Sequence, residues 1–191
     1  MTELKKKDET AAAHGKCMLN RREFLMYSGT AAAAVSTISI SLFPGQAQAR
    51  ARVVGYPRKL IGRLSDLQDN QPVDFNYPDD GQNSQCFVVK MAGAKAGGGI
   101  GPQRDVVAFS YLCTHQGGFL NGKYQAIGDN RVLGQCPLHL STYDLTRHGI
   151  IISGQAYQSI PQVLLELDGD DIYAVGMMGL LFGRSDNLME S

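Results

Sequence analysis

Two short stretches constrain this chain more than anything else in it: Cys113-Thr114-His115-Gln116-Gly117-Gly118 and Cys136-Pro137-Leu138-His139-Leu140-Ser141-Thr142-Tyr143. Each offers one thiolate and one imidazole, as C-x-H in the first and C-x-x-H in the second, and twenty residues separate His115 from Cys136. Such a set admits two occupants. A zinc ion would take all four donors on one tetrahedral centre. A 2Fe–2S cluster of mixed ligation would take two thiolates on one iron and two imidazoles on the other. Structural zinc sites usually open with two cysteines two to four residues apart, and no such pair exists in this sequence. The order Cys, His, Cys, His instead lets each stretch give one ligand to each iron.

The two stretches resemble the paired boxes of Rieske iron–sulfur proteins, including the Pro after the second Cys and the His three residues beyond it. The resemblance implies a 2Fe–2S cluster held by Cys113, His115, Cys136 and His139, with the cysteines on one iron and the histidines on the other. Two ferric ions, two sulfides and two thiolates make a neutral oxidised centre. Neutrality makes it easier to reduce than an all-cysteine cluster, and the potentials fall between about −150 and +300 mV. High-potential members of the family place a Ser two residues after the second His and a Tyr two further on. Here these are Ser141 and Tyr143. The first would donate to a bridging sulfide and the second to a cysteine sulfur, raising the potential. A loop containing a proline covers the cluster in that family, and Gly154 to Pro161 is its looser counterpart. The family's inter-loop disulfide would need cysteines at 118 and 138, which are Gly118 and Leu138. Leu138, with Phe119, is expected to fill that space with an apolar contact.

The leader bears on where such a cluster would work. Residues 1–49 carry six Lys/Arg against four Asp/Glu, and 50–191 carry twelve against fourteen. No basic stripe crosses the body, which argues against a nucleic-acid partner. Asn20-Arg21-Arg22-Glu23-Phe24-Leu25-Met26 precedes the mildly apolar run Tyr27–Phe43 and then Ala47-Gln48-Ala49. A charged start, an apolar middle and an A-x-A site read as an export signal, and the adjacent arginines followed by x-Phe-Leu resemble the twin-arginine type. The run is long enough to span a bilayer but weakly hydrophobic for an anchor. Cleavage after Ala49 is therefore expected, with a periplasmic location and at most peripheral membrane association. His14 and Cys17 fall in this leader. Assembly of a cluster from reduced thiolates before export of the folded protein fits that route.

The remainder, 50–191, reads as one all-β domain of antiparallel sheets, with a smaller cluster-binding part at about 105–161. Candidate strands are Arg52–Tyr56, Gln85–Met91, Asp105–Leu112, Arg131–Gln135, Gly149–Ile152, Val163–Leu167 and Asp171–Val175, each short, β-branched or aromatic-rich, and bounded by turn formers. Asp168-Gly169 signals a hairpin, and Asp66–Asp80 reads as loop. The glycine-rich Ala92–Pro102 lacks the Gly-Lys-Ser/Thr of a phosphate loop and reads as a flexible strand connection. Cys86 is expected to be a buried core thiol, and His148 to lie at a turn without a metal.

Within the Rieske family the chain most resembles the small subunits of arsenite oxidases. The resemblance runs from Asp105-Val106-Val107-Ala108-Phe109-Ser110 through Tyr143-Asp144-Leu145-Thr146-Arg147-His148-Gly149 to Gly179-Leu180-Leu181-Phe182-Gly183-Arg184. It implies a large molybdopterin partner that carries a further iron–sulfur cluster. The acceptor would be a cytochrome c or a copper protein of the periplasm. The alternative is the Rieske subunit of a quinol-oxidising cytochrome bc-type complex, which normally keeps both an anchor and the disulfide.

Overall fold

A computed structural model describes residues 55–188. The leader features, from the arginine pair to the A-x-A site, lie outside the described residues, as do His14, Cys17 and Arg52. Two antiparallel sheets carry the fold. The larger has six strands in the order β1-β10-β9-β4-β3-β2. These are β1 (Lys59–Arg63), β2 (Val73–Asn76), β3 (Gln85–Lys90), β4 (Val106–Ser110), β9 (Gln162–Asp168) and β10 (Asp171–Met178). The smaller has the order β5-β6-β7-β8: β5 (Tyr124–Ile127), β6 (Asn130–Leu133), β7 (Thr142–Asp144) and β8 (Ile150–Ser153). It is inserted in sequence between β4 and β9 of the larger sheet.

Strand alternation builds two cores. Register pairs Phe87 with Phe109 and Val89 with Val107 on one face of β3–β4, and Val88 with Ala108 on the other. The first set packs with Tyr111, Leu120, Leu133, Tyr143, Leu145 and Ile160, and so joins the two sheets. The second packs with Leu67, Tyr77, Cys86, Val163, Ile172 and Leu181. Every residue of β4 is therefore buried, which explains why its sequence is a continuous apolar run rather than an alternating one. Cys86 sits in the second core at 0% exposure. Burial pushes its thiol up to about 12, so it is inert at neutral pH.

Three expectations need correction. Tyr56 is not in a strand; the first strand begins at Lys59, beyond Pro57, and pairs with β10. The segment expected to be loop contains β2, a polar edge strand whose hydrogen bonds to β3 outweigh its weak β-propensity. Strands β5 and β7 carried no alternation strong enough to be read in advance and exist by pairing with β6. The β9–β10 hairpin is present, with Gly169-Asp170 as its two-residue loop. The glycine-rich 92–102 segment does connect β3 to β4, closing on itself through bonds such as Ala96 N–H to the Arg104 carbonyl (2.9 Å). No helix of the described residues is long and apolar enough to cross a membrane.

Candidate functional site

The two Cys/His stretches fold into loops with the same hydrogen-bond pattern. In the first, the Cys113 N–H donates to the Gly118 carbonyl (2.9 Å) and the Gly117 N–H returns to the Cys113 carbonyl (2.9 Å). In the second, the Cys136 N–H donates to the Ser141 carbonyl (2.9 Å) and the Leu140 N–H returns to the Cys136 carbonyl (3.0 Å). Each loop thus closes from residue i to i+5 and from i+4 to i. Each has a left-handed residue at i+4, Gly117 at φ +68° and Leu140 at φ +60°. The cysteine opens both loops and the histidine sits inside the turn, so the two loops face each other as near duplicates.

Together they bring all four candidate ligands to one place. The sulfurs of Cys113 and Cys136 are buried, each residue only 1% exposed, and no cysteine among the described residues is in a disulfide. The rings of His115 and His139 meet edge to face with centroids 4.6 Å apart, and both residues are half-buried. The Nδ1 atoms of both rings are buried without a hydrogen-bond partner. Burying an unpaired imidazole nitrogen costs about 1–3 kcal/mol, and two such atoms side by side mark a place for an acceptor of their lone pairs. A cluster with two metals asks only for two donors on each, and the donors present suit it: thiolates deep inside, imidazoles nearer the surface.

The surroundings supply protons to sulfur. The Tyr143 hydroxyl lies 3.1 Å from Cys113 Sγ and accepts the Thr114 N–H at 3.2 Å. Burial, reinforced by the hydrogen bond to Cys113, pushes the Tyr143 hydroxyl well above its ordinary range, so it stays protonated and can donate. The Ser141 hydroxyl accepts the backbone N–H groups of Gln155 and Ala156, both at 3.1 Å. Its oxygen is thereby occupied and its own proton is left to the Cys113 side. Burial works against ionisation of Cys113, but hydrogen bonds from Tyr143 and the His115 N–H outweigh it and hold the thiol below its usual range. Burial and the neighbouring Cys113 push Cys136 the other way.

The loop 154–161 covers this pair, as expected. Ser141 ties its start, and the Thr114 hydroxyl donates to the Gln158 carbonyl (2.7 Å) across its middle. Its Tyr157, 89% exposed, sets its ring edge-on to His115 with centroids 6.4 Å apart. Composition carried no sign of Thr114 and Tyr157, because both act through loop geometry. Leu138 lies over Gly118 as expected, though it and Phe119 remain about half exposed. A Cβ on Gly118 would stand 2.5 Å from Cys136 Sγ and 3.2 Å from Leu138 Cγ, so only glycine lets the loops approach this closely. His148 is not near the site by contact; its Nδ1 pairs with the buried Gln162 Oε1 at 2.8 Å.

Comparisons with known proteins agree with this geometry. The family model described as "Rieske [2Fe-2S] domain" matches residues 58–164. Iodate reductase subunit IdrB of Pseudomonas sp. (strain SCT) is 49% identical over 170 residues, covering 88% of this chain and 84% of that protein. Its namesake from Denitromonas iodatirespirans is 48% identical over 179 residues, covering 92% and 91%. Among solved structures, the soluble domain of the Rieske protein II (soxF) from Sulfolobus acidocaldarius superposes with a TM-score of 0.58 at 24% identity, covering 70% of this chain and 84% of that one. That structural likeness extends to the fold.

Proposed function

The chain belongs to the Rieske family and carries that family's 2Fe–2S cluster; from this premise we propose that it is the electron-transfer subunit of a molybdenum-dependent oxidoreductase. The observation that carries the ligand assignment is the pair of buried, unpartnered Nδ1 atoms beside two buried thiols. Cys113 and Cys136 would hold one iron, and His115 and His139 the other. When bound, the cluster supplies reversible one-electron transfer. The protein's own part is to exclude water with the 154–161 loop and to direct the Tyr143, Ser141 and His115 N–H protons at sulfur. Those protons stabilise the more negative, reduced state.

Replacing Tyr143 by Phe removes one such bond. A hydrogen bond to a charged acceptor contributes about 1.5–3 kcal/mol. At one electron that corresponds to a fall in midpoint potential of roughly 60–130 mV, read by spectroelectrochemical titration. A potential unchanged by the substitution would remove Tyr143 from this role.

The partner we propose is a large molybdopterin subunit that carries a further iron–sulfur cluster, with a cytochrome c or copper protein as the soluble carrier. Loops 111–122, 134–143 and 153–162 contain no Lys, Arg, Asp or Glu. They expose Phe119, Leu138, Leu140 and Tyr157. Depletion of charge with exposed aromatic and aliphatic groups is the character of an interface core, and it supports a stable subunit contact through these loops. The relatives favour iodate as the substrate, in which case the cluster feeds electrons to the large subunit. Arsenite oxidation, in which electrons leave through the cluster, is the second reading, favoured by the residues from Asp105 to Arg184 quoted above. The lack of an inter-loop disulfide weighs against the quinol-oxidising alternative. Export to the periplasm by the twin-arginine route rests on the leader and completes the proposal.

The test is to purify the chain with whatever co-elutes from its native membranes and periplasm. A molybdenum-containing large subunit that reduces iodate with a reduced dye meets the proposal. Arsenite oxidation without iodate reduction selects the second reading, and co-elution with a b-type cytochrome overturns both.

A further inference from the structure

The segment 179–188 follows β10 and touches the first ligand loop through Phe182. Gly117 lies two residues beyond His115, and its amide closes that loop on the Cys113 carbonyl. The Phe182 ring rests directly against it: a Cβ at Gly117 would run into Phe182 Cε1 and lie 3.2 Å from Cζ. The backbone around Phe182 is itself held from several sides. Asn83 Nδ2 donates to the Phe182 carbonyl at 2.9 Å. The buried Asn187 side chain accepts the Leu181 N–H at 2.9 Å and donates to the Gly179 carbonyl at 2.8 Å. Arg184 grips Asp79 with two bonds of 2.8 Å and the Gln82 carbonyl at 2.7 Å.

We propose that segment 179–188 is a brace for the ligand loops and that Phe182 is its positioning residue, setting where Cys113 and His115 stand relative to the second loop. No disulfide ties the two loops in this chain, and each is closed by only two backbone bonds between its ends. A loop closed so lightly opens locally unless something rigid backs it. The flat ring against a glycine at φ +68° supplies that backing, since any movement of Gly117 away from its position must either lift off the ring or run into it. The proposal rests on the ligand assignment above as far as the cluster is concerned; the bracing of the loop does not depend on it.

The experiment compares the purified full chain with Phe182→Ala, Phe182→Leu and a control, Ile172→Val, which trims the other core cluster without touching the loop. Two quantities are read: amide exchange of residues 113–118, and the g-values of the reduced cluster. Phe182→Ala is expected to raise exchange at the Gly117 amide by about tenfold and to shift the g-values. Phe182→Leu should restore most of both, and Ile172→Val should move neither. If Phe182→Ala behaves like Ile172→Val in both measurements, Phe182 is ordinary packing and the proposal falls. Failure of the functional reading looks different: the unaltered chain would lack acid-labile sulfide, while the exchange comparison would still decide the brace.

Discussion

Replacing His139 by Cys is expected to lower the midpoint potential on the order of 200 mV while leaving an iron–sulfur centre in place. The sign follows from charge. With two imidazoles and two thiolates the oxidised cluster is neutral, and a third thiolate makes it an anion, so the added electron enters against one more negative charge. Clusters with two histidines lie between about −150 and +300 mV, and plant-type all-cysteine clusters near −400 mV, which sets the size of the fall for half the exchange. Geometry makes the substitution informative. The His139 Nδ1 is buried and unpartnered, so the imidazole can offer a lone pair inward. Redox titration followed by visible absorption measures the outcome. A potential equal to that of the unaltered chain would mean that His139 is no ligand. Loss of all iron would show instead that the second loop cannot accept a shorter side chain.

The second large effect concerns stability. Asp79→Asn is expected to cost about 2–3 kcal/mol in urea unfolding at pH 7, because it leaves the Arg184 guanidinium with its charge uncompensated. The Arg184 side chain is 4% exposed, whereas Asp79 is 34% exposed, and that solvent access reduces the cost from the 3–5 kcal/mol of a fully buried pair. Arg184, with help from Ser84 and the Gly81 N–H, holds the Asp79 carboxyl well below the usual carboxylate range. The pH dependence follows from that depression. Unfolded, the group titrates near 4; folded, it stays ionised to lower pH. Its contribution is therefore complete above about pH 4 and is lost as the pH falls below that value. The stability gap between the parent and Asp79→Asn should narrow on acidification, and a gap that stays constant from pH 7 to pH 3 would mean that the pair contributes no net electrostatic stability. Since Arg184 also anchors the segment that carries Phe182, the same substitution is expected to loosen the first ligand loop.

Both results depend on features of unequal visibility in the chain. The four candidate ligands could be named from spacing alone, because a mixed thiolate and imidazole set has few uses and the order Cys, His, Cys, His suits two metals better than one. Tyr143 and Ser141 were singled out through resemblance, being at fixed offsets from His139, and the fold sets the Tyr143 hydroxyl 3.1 Å from Cys113 Sγ. The six-stranded sheet was partly legible: Val106–Ser110 and the strands on either side of Gly169-Asp170 are strongly β-forming wherever they sit. Strands β2, β5 and β7 were not, since Val73-Asp74-Phe75-Asn76 or Thr142-Tyr143-Asp144 become strands only when a neighbour offers its backbone.

What the linear order settled by itself is chemistry: which side chains can bind soft and borderline metals, and how many of each. What only the folded chain decided is proximity. The matching turns that set Cys113 beside Cys136, the bare glycine at 118 that lets a sulfur come so near, and the ring of Phe182 against Gly117 all join residues from roughly 20 to 65 positions apart. No local propensity encodes such meetings. They arise because burial of the shared core between the two sheets leaves the loops one low-energy way to pack, and that packing is a property of the whole domain.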